Sequence, residues 1–155
     1  MTYVPTSSGR GAEETIVALL RVVTGIIFMV HGAQKLMDIP GTAQSFAALG
    51  IPMPQYAVYL AIAGELLGGL GLLVGLLTRV AAFGPFCSML VAIVAVHLKN
   101  GLLAKNGGFE YPLVLACVSL FFVAHGAGAF SLDSWFSRSE RSRYRYREHR
   151  VESHA

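Results

Sequence analysis

In the stretch FMVHGAQKLMD, Phe28 to Asp38, a histidine and a lysine close a hydrophobic run long enough to cross a membrane. A second run, AGELLGGLGLLVGLL, holds Glu65 among glycines and leucines. An ionisable group in hydrocarbon is expensive, so it must be neutralised, paired with an opposite charge or turned toward a polar cavity. His31 and Lys35 carry donors that can hold an oxygen atom and stabilise negative charge as it develops there. Glu65 can carry a proton to or from the same place. His97 ends a third apolar run and Glu110 opens a fourth. The candidate catalytic residues are therefore Glu65 and His31, and the candidate substrate-binding set is His31, Lys35, Glu65, His97 and Glu110. No metal site is expected; a bis-histidine haem through His31 and His97 is conceivable but has the least support.

These groups need elements that hold them at one depth. Arg21, Gly25, Phe28, Gly32 and Lys35 recur at helical steps and fall on one stripe, flanked by Thr24 and His31. A bilayer core of about 30 Å takes roughly 20 helical residues. Four segments qualify: Thr15–Met37, Tyr56–Leu77, Val80–Leu98 and Tyr111–Phe130. Backbone groups cannot stay unpaired in lipid, and no alternating strand pattern occurs, so the expected fold is an all-α integral membrane four-helix bundle. The second and third spans are separated only by Thr78 and Arg79, which predicts a tight hairpin. Gly64, Gly68, Gly71 and Gly75 form a stripe suited to close helix packing.

Composition agrees with a membrane chain. Of 155 residues, 54% are hydrophobic and only 14% charged, against about 25% in a soluble domain. Lys and Arg are divided unevenly among the short loops. Arg10, Arg79 and six arginines after Trp135 lie on one side; Lys35, Lys99 and Lys105 lie on the other. Both termini are thus expected in the cytoplasm. Lys35, His31, His97 and Glu110 then lie near the outer ends of their spans, with Glu65 about 13 Å inward. Scatter by chance would not place all of them in one leaflet. The bland reading is a buried ion-pair network, Lys35 or His31 with Glu65, that only fixes helix register.

The chain divides into an amino-terminal cytoplasmic arm (1–14), a four-helix transmembrane domain (15–136) and an arginine-rich cytoplasmic tail (137–155). MTYVPTSSGRGAEE lacks the pattern of a cleaved signal peptide, so the first span is expected to remain. PGTAQSFAALGIPMP reads as a short interfacial helix stopped by Gly50 and the prolines. The tail suits anionic lipid or an acidic partner surface, not nucleic acid. Cys87 and Cys117 are isolated and read as small core residues. Arg21 reads as structural, within reach of Glu14 or the end of the fourth span; His125 lies apart from the other ionisable residues.

Four stretches in order, LLRVVTGIIFMVHGAQKL, LGIPMPQYAVYLAIAGELLGGLGLLVGLLTR, NGGFEYPLVL and HGAGAFSLDSW, resemble the DoxX family of small four-helix membrane proteins. The likeness runs from Leu19 to Trp135 and departs from the frequent GPG pattern at Gly126-Ala127-Gly128. It implies a bacterial inner membrane and a place beside redox enzymes, since the family is named for a subunit associated with thiosulfate:quinone oxidoreductase. It also implies that His31, Lys35, Glu65, His97 and Glu110 match recurring polar positions. Two readings of function stand. One is a redox-associated subunit whose pocket takes a quinone or small substrate, with electrons supplied by a bound substrate or a partner membrane or soluble redox subunit. The other is a non-catalytic assembly or anchoring subunit of a larger membrane complex. A proton or solute pathway is weaker, because only Arg21 and His125 continue the polar chain inward.

Overall fold

The computed structural model describes residues 7–139, whose regular structure is entirely helical. Helix α1, Ser7–Met37, has 31 residues and extends about 46 Å, well beyond a bilayer core. A short helix α2, Ile39–Ala48, follows at once, and buries none of its residues. It starts because the Asp38 side chain accepts from Gly41 N at 2.9 Å, and Pro40 stands in the first turn, where its missing N–H costs nothing. Helices α3, Pro54–Val74, and α4, Thr78–Asn100, have 21 and 23 residues and are long and apolar enough to span.

The fourth apolar helix, α5, is shorter than its sequence suggests. It runs Glu110–His125, 16 residues, or about 24 Å. The chain leaves the helix at Gly126, whose φ of 86° ends it. The expected stretch to Phe130 is therefore partly irregular. A further helical segment occupies 132–139. The arginines from 141 onward lie outside the described residues.

The α3–α4 turn is also placed differently. It is made by Gly75, Leu76 and Leu77, while Thr78 and Arg79 open α4. Gly75 and Leu77 both take left-handed conformations, at φ 70° and 46°. Leucine adopts that region only at a cost. Here Asp133 offsets it: its two carboxylate oxygens accept from Leu77 N at 2.8 Å and Thr78 N at 3.0 Å.

Glycine sets how closely the spans approach. A Cβ on Gly25 of α1 would sit 2.7 Å from Gly69 O and Leu73 N of α3. Gly64, Gly68 and Gly71 of the expected stripe face α4, where Gly84, Pro85 and Ala81 lie. Gly75, the fourth member, serves the turn. Pro85 lacks an N–H, which frees the carbonyl of Ala81 inside α4; that carbonyl and the proline ring lie against Gly68. Phe28, Leu72, Ala82, Leu115 and Phe122 form a buried core drawn from all four apolar helices. Outside it, Leu60, Val80 and Val94 are more than 70% exposed, the pattern of a surface turned to lipid. Cys117 also lies on an exposed face and Cys87 is half-buried, so neither is the core residue expected.

Candidate functional site

The buried positions of α3 include Val58, Ile62, Glu65, Gly69 and Leu72, one face at helical spacing. Glu65 occupies a place where the pattern calls for an apolar side chain. The backbone there is a π-turn, Ala63–Leu67, a form that often marks functional positions because one residue is inserted into the ladder. Lys35 reaches across from α1 and donates from Nζ to Glu65 Oε2 at 2.5 Å. The side chain of Glu65 is 4% exposed and that of Lys35 is 23% exposed. The carboxylate is thus enclosed and the ammonium is its link to the surface. Gly32 makes the contact possible, since a Cβ there would meet the Leu66 backbone at 2.7 Å.

The Lys35 side of the pair opens on a polar groove of about 530 Å³ between the end of α1 and helix α2. His31, Gln34, Lys35, Asp38, Gly41, Thr42, Gln44 and Ser45 line it. At the rim a Cβ on Gly41 would displace the Asp38 carboxylate that caps α2. Ser45 Oγ donates to Gly41 O at 2.9 Å, fixing the first turns of the helix. The lining contains donors and acceptors, with the His31 imidazole its one ring and no Phe, Tyr, Trp, Leu, Ile, Val or Met.

Of the residues expected at the site, Lys35 pairs with Glu65 and shares the groove with His31, while Glu65 lies behind Lys35 and does not line the groove. His97 and Glu110 lie elsewhere. His97 ends a second π-turn, Ile93–His97, and its Nδ1 lies 2.7 Å from Gly107 O. Glu110 Oε1 accepts from Ala104 N at 2.6 Å. Both organise the 98–110 connection, and neither lines the groove. Gln34, Asp38, Thr42, Gln44 and Ser45 were not among the expected site residues. Their signal is in the sequence: His31, Gln34, Lys35 and Asp38 continue one helical face past the apolar run, and Thr42 and Ser45 repeat the spacing on α2.

At the far end of the bundle, Arg21 is 3% exposed. Its Nη2 donates to Phe130 O at 2.5 Å, which resolves its expected partner to the segment after α5. His125 stacks on Phe121, ring centres 4.8 Å apart, away from the groove.

Residues 16–98, which carry α1 to α4 and the Lys35–Glu65 pair, match the DoxX family model. The chain belongs to the DoxX family. A Bacillus subtilis (strain 168) relative, CatD, named as a candidate oxidoreductase, is 35% identical over 80% of this chain and 89% of its own length. Two Escherichia coli (strain K12) relatives named as inner membrane proteins are more distant. YphA is 28% identical over 79% of this chain and 91% of itself, and YqjF 29% over 78% and 92%. No solved structure matches significantly. This DoxX protein is an all-α integral membrane protein.

Proposed function

We propose that this DoxX protein is a redox-associated subunit of a bacterial inner membrane whose groove beside the Lys35–Glu65 pair receives a small substrate or a quinone head group. The carrying observation is the ion pair itself: an enclosed carboxylate whose partner ammonium borders an open polar groove with His31. A pair that served only helix register would gain nothing from that opening. The oxidoreductase name of the Bacillus subtilis relative and the inner-membrane names of the Escherichia coli relatives support the setting.

In this reading His31 and Lys35 donate to an oxygen of the bound molecule, and charge developing there is stabilised by the ammonium. Glu65 exchanges a proton with the same site through Lys35, whose side chain touches both. Electrons come from a bound substrate or from a partner redox subunit. The donors suit a quinone carbonyl. The short polar side chains of the lining suit a small polar substrate equally well. The four apolar helices within 15–136 form the working unit, with both termini cytoplasmic and the groove facing outward. Residues 1–14 and 137–155 are cytoplasmic extensions, the latter meeting anionic lipid or an acidic partner. The competing reading is an assembly subunit in which the same pair is purely structural.

Mass spectrometry of small molecules retained after mild-detergent purification, for wild type and Glu65→Gln, separates the two. A near-stoichiometric ligand in wild type that the substitution removes supports the pocket. If both forms stay folded, hold no ligand and bring down the same partner proteins, the assembly reading replaces it.

A further inference from the structure

At the Arg79 end of the bundle, opposite the groove, the segment after α5 carries a second surface that the redox reading does not use. On helix 132–139, Leu132, Trp135 and Phe136 fall at i, i+3 and i+4, on one face. Trp135 is 63% exposed and Phe136 50% exposed, and Phe130 just before them is 61% exposed. The opposite face is pinned. Asp133 accepts from Leu77 N and Thr78 N, and its own N–H donates to Gly75 O at 2.9 Å. Those partners are the turn between two membrane-spanning helices and the first residue of α4. Ser134 Oγ donates to Ser131 O at 2.9 Å within the segment itself. The aromatic face is thereby held level with the ends of the apolar spans, where exposed Leu77 and Val80 also lie.

We infer that helix 132–139 is an interfacial anchor whose aromatic face enters the acyl–headgroup boundary of an anionic lipid surface. Tryptophan and its aromatic neighbours suit that depth, having an apolar body and, in tryptophan, one N–H for the wet side. Charge identifies the lipid. Arg138 follows the aromatic pair directly, and five more arginines stand between positions 141 and 150 against Glu140 and Glu148. A basic run next to a membrane-bound helix is drawn to anionic headgroups. A soluble partner would not require the aromatic face to be tied at the level of the span ends.

The chain has one tryptophan, so the unmodified protein reports on its own anchor. It is placed in nanodiscs of phosphatidylcholine with and without phosphatidylglycerol. The anchor predicts that lipids brominated near the headgroup remove most of the Trp135 emission. Deeply brominated lipids remove less, and aqueous acrylamide removes little. It also predicts that trypsin cuts at the tail arginines more slowly in the discs containing phosphatidylglycerol. Quenching by acrylamide without quenching by lipid places the face in water and overturns the inference. Resistance to both quenchers means that a second copy or another protein covers it, which overturns it equally. Equal trypsin rates in the two discs remove the anionic part of the claim.

Discussion

Lys35 and Glu65 are the residues on which the functional account turns, and their energetics are asymmetric. Removing one partner leaves an enclosed charge uncompensated, whereas replacing both by apolar groups is often neutral. Lys35→Met alone is expected to lower stability by about 3 kcal/mol, read as a fall in the thermal unfolding midpoint in detergent. An unchanged midpoint would mean that Glu65 does not depend on the pair. That Glu65 needs a cationic partner was legible in the sequence, because a carboxylate deep in an apolar run has few alternatives. The choice of Lys35 over His31 was not, and neither was the placement of His97 and Glu110. Span ends fix depth along the membrane normal but not direction around the helix, and both side chains instead close backbone contacts at Gly107 and Ala104.

Among the elements, the glycines separate into two kinds that spacing alone does not distinguish. Gly25 meets the α3 backbone at 2.7 Å from a built Cβ, and backbone cannot give way; Gly64 meets its nearest atoms at 3.4 Å. Gly25→Ala is therefore expected to cost about 1–3 kcal/mol by forcing α1 from α3. Gly64→Ala is expected to stay within about 0.5 kcal/mol of wild type. Unfolding of the two variants in the same detergent checks the contrast, and equal losses would contradict the packing described. The stripe of glycines was readable as a packing feature. Its division of labour was not, since Gly75 serves a left-handed turn beside Arg21 while Gly69, off the stripe, meets α1. The π-turns at Glu65 and His97 left no mark in composition, because an inserted residue depends on what the neighbouring helices require.

Taken as a whole, the molecule ties its last segment back to its middle. Asp133 caps α4 from beyond α5, and Arg21 of α1 holds Phe130 O. Asp133→Ala is expected to destabilise by about 1–2 kcal/mol through the lost cap, and to free the Leu77 turn to digestion by protease. Sidedness is tested separately. With Cys87 and Cys117 replaced by alanine, an impermeant maleimide applied to intact cells should label Gln44→Cys and spare Ser137→Cys; the reverse pattern would invert the proposed orientation. The all-α membrane class was evident from apolar run length and charge scarcity. The short α5 was less so: HGAGAF is apolar enough to read as span, and only the glycine conformations show that the helix stops at His125.

The most direct measurement is the double variant Lys35→Met/Glu65→Leu, compared with Lys35→Met for thermal stability and for the small molecule retained on purification. The double variant is expected to regain stability, because no unpaired charge remains, yet still to fail to hold the ligand that wild type holds. A double variant that recovers both stability and ligand would show that the pair only sets helix register, and the groove would lose its claim to be the site.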